Sequence, residues 1–290
     1  MRLFAAIVTF FLTISVNGRP YYFRHYRIDD GLSNNAVMDC IQDRRGFVWF
    51  GTKEGLTRFD GYQFKVFLYN PESANCLISN FITAIREDND GWIWVGTPKG
   101  ICYYDPDSDY FGTITSEDQE ISGLVTDVEV DSNNNVWIST RTGLFRYRKD
   151  SGKTVFYPSD KYFIPGTITV TASNDVWFTG ADGRIYKYDE QGDNFKGIKI
   201  LSEKELAESI RLINIVDAGF SGLIITTDIA GIRILNPNSG AVSGFFEKDK
   251  LWRNIMIRTA CLFPGNELWI GTESGIYIYN MTTGFVANLY

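Results

Sequence analysis

Asp43, Asp88 and Asp131 each stand six residues ahead of a tryptophan, at Trp49, Trp94 and Trp137. Carboxylates are abundant along the chain, and two of them flanking a glycosidic bond suffice to hydrolyse it. These three fall in turn sequences such as QDRRG and EDNDG, where an aspartate side chain folds back on its own backbone. They are expected to form turns and to be solvated. Histidine chemistry is narrower still. The single histidine, His25, lies on a strand-like segment near the N-terminus, which argues against a Ser-His-Asp triad and a histidine-ligated zinc. No stretch has phosphate-loop or calcium-loop spacing, and no cofactor or metal is expected.

Recognition is the remaining chemistry. Lys53, Lys99 and Arg141 occupy equivalent turns, and Asn34, Asn35, Asn80, Arg211, Arg253 and Asn254 lie just ahead of apolar runs. Two further copies of the turn carry Asp182 and Glu273 instead. Cations and amides of this kind would give charge-assisted hydrogen bonds to an acidic sugar. They act together only if the fold gathers them on one face.

The elements that would do so repeat. Anchors stand at Trp49, Trp94, Trp137, Trp177, Ile225 and Trp269, at intervals of 45, 43, 40, 48 and 44 residues. Six residues past each anchor is a glycine: Gly55, Gly100, Gly143, Gly183, Gly231 and Gly275. An alternating run precedes each anchor and two more follow it, so every repeat holds four short strands, the period of a propeller blade. The predicted fold is all-β, a β-propeller of four-stranded blades with six repeats visible. The blades span about 32–76, 77–120, 121–163, 164–209, 210–252 and 253–290. The tryptophans fill the space between blades, and the glycines permit positive φ where the second strand turns into the third. In such a fold the loops joining second to third strands share a face with those entering first strands. That places the nine recognition candidates around the mouth of one channel. Ser202 and Glu205, at capping-box spacing within Leu201 to Ser209, predict a short surface helix.

The chain ends add an expectation. Residues 21–28, YYFRHYRI, read as a fourth strand that closes a blade begun elsewhere. Repeat six already has its own candidate fourth strand at Phe285 to Tyr290, so either six blades close with residues 21–28 displaced or the six repeats are part of a seven-bladed or longer tandem propeller, and the second is the expectation. Residues 1–18, MRLFAAIVTFFLTISVNG, read as a signal peptide, because their apolar run of 14 residues is short of the roughly 20 needed to span a bilayer. With 290 residues, 15% aromatics and a net charge of −7, the chain is a turn-rich globular protein without the basic footprint of a nucleic-acid binder. Its four cysteines form no Cys-x-x-Cys pair and are expected to be buried free thiols.

The motifs FVWFGTKEGLTRFDGYQF and GWIWVGTPKGICYYD, with the lead-in IDDGLSNNAVMDCIQDRRG, resemble the two-component regulator propeller repeat. The resemblance is strong in repeats one, two and six and weaker in four and five. It implies the N-terminal part of the periplasmic sensor region of a bacterial hybrid two-component system histidine kinase. In that family tandem propellers precede a β-sandwich, a membrane helix and a kinase, and the ligands are oligosaccharides released from glycans. The implied protein is a non-catalytic, carbohydrate-sensing module located in the periplasm. It would be a homodimer as a full receptor and tethered to the membrane only through downstream segments or an uncleaved signal. Two other readings stay open: an exported propeller lyase or hydrolase working through carboxylates, and a scaffold that binds another protein.

Overall fold

Every repeat folds into a four-stranded antiparallel sheet with its strands in chain order. The computed structural model describes residues 21–114, 121–159, 164–244 and 255–289. The expected signal peptide, Arg253 and Asn254 lie outside these. Six blades stand in a ring, and their innermost strands, Val37–Gln42, Ala84–Glu87, Val125–Val130, Pro165–Val170, Leu212–Asp217 and Ile257–Phe263, line a common channel.

The ring is held by what lies between its blades. Trp49 packs against Leu77, Ile85, Ile93 and Tyr104 of the second blade. Trp94 packs against Val125 and Val136 of the third. Trp137 meets Ile168 and Phe178 of the fourth, and Trp177 meets Ile215 and Leu223 of the fifth. All four indoles are at most 1% exposed. Removing a ring of this size from water contributes at most about 5 kcal/mol. The glycine two residues past an anchor lets the next blade approach: a Cβ on Gly96 would lie 2.6 Å from Val125 Cγ1. The glycine six residues past does something different. Gly100 has φ +123°, and a Cβ there would lie 2.3 Å from the Ile121 carbonyl oxygen.

The threonine of the repeat closes the hairpin. Thr97 Oγ1 donates to the Gly100 carbonyl at 2.9 Å and accepts from the Lys99 backbone N–H at 3.1 Å. Thr52, Thr140 and Thr272 donate equivalently to Gly55, Gly143 and Gly275.

The aspartates six residues before the anchors form turns as expected, but they are buried rather than solvated. Asp43, Asp88 and Asp131 are 6%, 1% and 5% exposed. In each, one carboxylate oxygen accepts the indole Nε1–H of the following anchor, at 2.7, 2.9 and 3.0 Å. The other oxygen accepts backbone N–H groups of the turn, as Asp88 Oδ1 does from Asp90 and Trp92. The spacing of six is therefore an indole-anchoring device. Blade four has Thr171 at this position, and Trp177 Nε1 finds no partner among the described residues.

The fifth anchor is Ile224, one residue earlier than expected. Ile224, not Ile225, packs toward blade six, while Ile225 joins the cluster facing blade four. Thr227 Oγ1 bonds to the Gly231 carbonyl four residues on, where other blades need three, so this hairpin holds one extra residue. The glycine kept its offset from the wrong isoleucine.

The predicted surface helix forms at Glu203–Ala207, with Ser202 as N-cap and a complete capping box to Glu205. Arg233 Nη2 to Glu205 Oε1, at 2.8 Å, ties it to blade five. Residues 21–27, by contrast, are not a strand. Blade six has its own outer strand, Gly284–Leu289, so no edge remains there for them to complete. They lie instead across the junction of blades six and one: Tyr21 packs edge-on to Trp269 at 5.4 Å, and Tyr26 against Phe59 at 4.9 Å. His25 is exposed on this segment. Among the cysteines only Cys102 is buried; Cys76 is half-buried, and Cys40 and Cys261 are exposed.

Candidate ligand site: the channel and its mouth

The hairpin between second and third strands is closed by its threonine and glycine, which turns the residues between them outward. Lys53, Lys99 and Arg141 are exposed there. Lys53 and Arg141 form no ion pair among the described residues, whereas Lys99 Nζ sits 4.9 Å from the centre of the Tyr69 ring. The asparagines are committed to the fold. Asn34 Oδ1 accepts from the Ala36 backbone N–H, Asn35 Oδ1 from Ile28 and Asn80 Oδ1 from Tyr69, at 2.8, 3.0 and 2.6 Å. Arg211 is bound through its backbone N–H and its Nε to Asp228, at 3.0 and 3.2 Å. Of the residues predicted from sequence, Lys53 and Arg141 keep the most freedom to meet a ligand.

The inner strands carry a second set that sequence reasoning missed. Their side chains alternate, so one register faces the neighbouring blade and the other the channel. Asp39, Arg86, Asp127 and Glu129 occupy the channel register of blades one to three, around a cavity of about 470 Å³. Thr83, Thr126, Thr167, Thr169, Asn214 and Arg258 also line it. Several of these groups stitch blade to blade. Asp39 Oδ2 accepts the Ile85 N–H and Asp127 Oδ2 accepts the Ile168 N–H, both at 2.7 Å. Thr169 Oγ1 donates to the Ile215 carbonyl at 2.7 Å, and Asn214 Nδ2 to the Ala260 carbonyl at 3.0 Å.

One cation serves three carboxylates. Arg86 Nη2 pairs with Glu129 Oε1 at 2.8 Å, and its Nε donates to the Val128 carbonyl at 3.2 Å. Burial opposes its charge, but Glu129, Asp127 and Asp39 together hold the guanidinium above its ordinary value. The carboxylates respond in kind. Burial pushes Asp127 up to about 7 against the pull of Arg86, and raises Glu129 and Asp39 as well. The channel is thus a narrow, acceptor-rich, negatively biased space. Chemically it offers hydrogen bonds to hydroxyl and ammonium groups and, in Asp127, an acid that titrates near neutrality.

A signal for this set was present in the sequence. Asp39 and Asp127 each stand ten residues before their anchors, and Arg86 and Glu129 eight before theirs. A charge at a repeated position of an inner strand marks the channel.

Comparison with known proteins places this architecture. Residues 31–54 and 76–99, the first-strand and anchor portions of blades one and two, match the model of the two component regulator propeller. Over 76 residues the chain is 38% identical to Histidine kinase P4 of Formosa agariphila, a stretch covering 26% of this chain and 6% of that protein. Among solved structures, the extracellular domain of a hybrid two component system from B. thetaiotaomicron superposes with TM-score 0.76 at 22% identity, covering 93% of this chain and 37% of that one. Virginiamycin B lyase from Staphylococcus aureus gives 0.68 at 15% identity, covering 88% and 85%. These structural likenesses show a shared propeller fold. The chain spans about a third of that extracellular domain and a small fraction of the kinase. Among the described residues no helix is long and apolar enough to cross a membrane. The indole anchors, hairpin threonines and glycines recur through its repeats, and blades one and two match the two component regulator propeller repeat.

Proposed function

We propose that this chain is the ligand-binding propeller of an exported two-component sensor. It binds a glycan-derived oligosaccharide without turning it over and passes the signal to a kinase elsewhere in a longer receptor. The observation that carries the reading is the channel: about 470 Å³ of acceptor-rich space at the axis of a family repeat array. That volume lies in the range of small-ligand sites. Hydroxyl-rich sugar units suit Asp39, Asp127, Glu129 and the lining threonines. An acidic unit would be repelled there and would meet Lys53 and Arg141 at the exposed tips instead. Signalling is a population shift, in which ligand favours one arrangement of the receptor's paired sensor regions. The full receptor is a periplasmic, membrane-tethered homodimer with further blades or propellers beyond this one.

The test is a glycan panel on the pure chain, with Lys53→Ala plus Arg141→Ala as the comparison. Acidic glycans are expected to lose at least several-fold in affinity in the variant while neutral ones hold. Unchanged binding of every glycan would remove the tips from the site.

One observation favours a second reading. Asp127, titrating near 7 beside Glu129 on the same strand and lining one cavity with Asp39, has the poise of a general acid in a carboxylate-based hydrolase or lyase. Cleaved products from any glycan, abolished by Asp127→Asn, would replace the sensor reading with this one.

A further inference from the structure

Five of the six junctions between neighbouring blades share one construction, and the sixth departs from it. At two of the five, the channel-facing residue eight positions before an anchor bonds to the next inner strand. Arg86 Nε reaches the Val128 carbonyl at 3.2 Å and Thr169 Oγ1 the Ile215 carbonyl at 2.7 Å. An indole or isoleucine from the second strand fills the space behind, fully buried. Between blades six and one the corresponding register positions hold two cysteines. Cys261 pairs across its sheet with the anchor Trp269, the position Arg86 holds opposite Trp94. Cys40 pairs with Phe50, the position held by Val128 and Ile85 in their own blades. The residue in the place of Arg86 therefore faces the residue in the place of Val128.

The packing behind this pair is unfinished. Trp269 is only half-buried, against at most 1% exposure for the four other anchor indoles, and its Nε1 donates to Glu267 Oε2 at 3.4 Å rather than to an aspartate six residues back. Phe263 stands where the aspartate would be and is 44% exposed, as are Met38 and Val37 opposite, at 46% and 41%. Tyr21 covers part of the Trp269 ring and Phe263 stacks near it at 4.8 Å. Both cysteines are exposed residues, and partial burial of the sulfur, with the charge of a Cys40 thiolate second, holds the Cys261 thiol above its ordinary value. The other two cysteines are differently placed: Cys102 lies in the core, and Cys76 donates into a surface loop.

We infer that Cys40 and Cys261 form a disulfide that closes the ring at its least-packed junction. The inference does not depend on the ligand reading. The thiolate of Cys261 attacks one sulfur of glutathione disulfide, or of an oxidised thiol–disulfide oxidoreductase, and expels a thiolate. The thiolate of Cys40 then attacks the Cys261 sulfur of the mixed disulfide, forming the Cys40–Cys261 bond and expelling the second thiolate. Two protein thiols lose two protons and two electrons, and one external disulfide becomes two thiols. A disulfide requires Cα atoms about 4.4–6.8 Å apart, so its formation draws the inner strands of blades six and one into the spacing of the other junctions. The bond would close most of the chain into one loop, the arrangement in which a cross-link most restricts the unfolded state.

The experiment uses the whole chain, purified reduced and incubated with glutathione disulfide at pH 8. It is then alkylated in denaturant, digested and mapped by mass spectrometry, with thermal unfolding followed in parallel. The expected map joins the Cys40 and Cys261 peptides with loss of two hydrogens, leaves Cys102 alkylated, and accompanies a rise of several degrees in the unfolding midpoint. Cys40→Ser is expected to leave Cys261 carrying glutathione, with no rise in midpoint. The inference is overturned if Cys40 and Cys261 each carry glutathione in the unaltered protein, if either is joined to Cys76, or if cross-linking leaves the midpoint unchanged or lowers it.

Discussion

Blade four lacks the carboxylate that anchors three other indoles, and restoring it should stabilise the fold. Thr171 occupies the position of Asp131, and Trp177 Nε1 is left without a partner among the described residues. In blade three the Asp131 carboxylate accepts from Trp137 Nε1 at 3.0 Å, from Asn135 Nδ2 at 2.8 Å and from two backbone N–H groups. The matching residue in blade four is Asp175, whose own charge would oppose a new carboxylate. The perturbation is therefore Thr171→Asp together with Asp175→Asn. Satisfying a buried donor through a charged acceptor gains about 1–3 kcal/mol. Against this stand the lost pair of Asp175 with Lys187, half-exposed at 2.8 Å and worth about 0–1 kcal/mol, and desolvation of the new charge. The net expectation is a gain of about 1–2 kcal/mol, or about 2–4 °C per kcal/mol in the midpoint for a chain of this size. Thr171→Asp alone should gain little. The assay is urea unfolding of both proteins with and without Trp177→Phe, which removes the indole N–H. The gain should vanish in the Trp177→Phe background. A neutral or destabilised double variant, or a gain that persists without the indole, would refute the anchoring role assigned to the spacing of six.

Removing an existing anchor should cost more than adding one gains. Asp88→Ala leaves Trp94 Nε1 and two turn N–H groups without their acceptor, while Lys149 keeps Asp90 at 2.7 Å, so a loss of about 2–4 kcal/mol is expected in denaturant melts. Channel protonation should show in the pH profile of stability. Asp127 has its folded pKa raised to about 7 from 3.8, so its contribution is fully present below pH 3.8 and is lost as pH rises through 7, by at most about 4 kcal/mol. Asp127→Asn should flatten that fall between pH 4 and 7, and unfolding midpoints across the range that keep the original slope would contradict the burial of this carboxyl. Ser202→Ala removes the helix cap at Glu205 and should cost about 1 kcal/mol by the same melts, with the ring itself unaffected.

The repeat was legible because its physical causes are local. A threonine that closes a hairpin, a glycine at positive φ and an indole between blades each need one residue type at one place, and Thr97, Gly100 and Trp94 carry that requirement in sequence. Blade five was misread by one residue because a run of Leu223, Ile224, Ile225 presents apolar side chains to both neighbours, so only the longer hairpin reveals the phase. Asp88 looked like a solvated turn residue because its partner, the Trp94 indole, is brought to it only by the return of the next strand. The channel set was missed for a related reason. Arg86 comes from blade two and Asp127 and Glu129 from blade three, so their meeting depends on the packing of neighbouring blades rather than on any spacing within a motif. Among the tip residues, Asn34, Asn35 and Asn80 spend their side-chain oxygens on backbone N–H groups of the surrounding loops, a commitment that sequence spacing does not reveal.

The most direct test of the sensor account is to equilibrate the pure chain with a library of oligosaccharides, isolate what it retains, and determine the mass of the retained sugar. The account predicts at least one oligosaccharide held and recovered intact, with binding weakened by Arg86→Ala in the channel. Recovery of shortened or unsaturated fragments, or retention of no glycan by a chain that captures a protein partner, would contradict it.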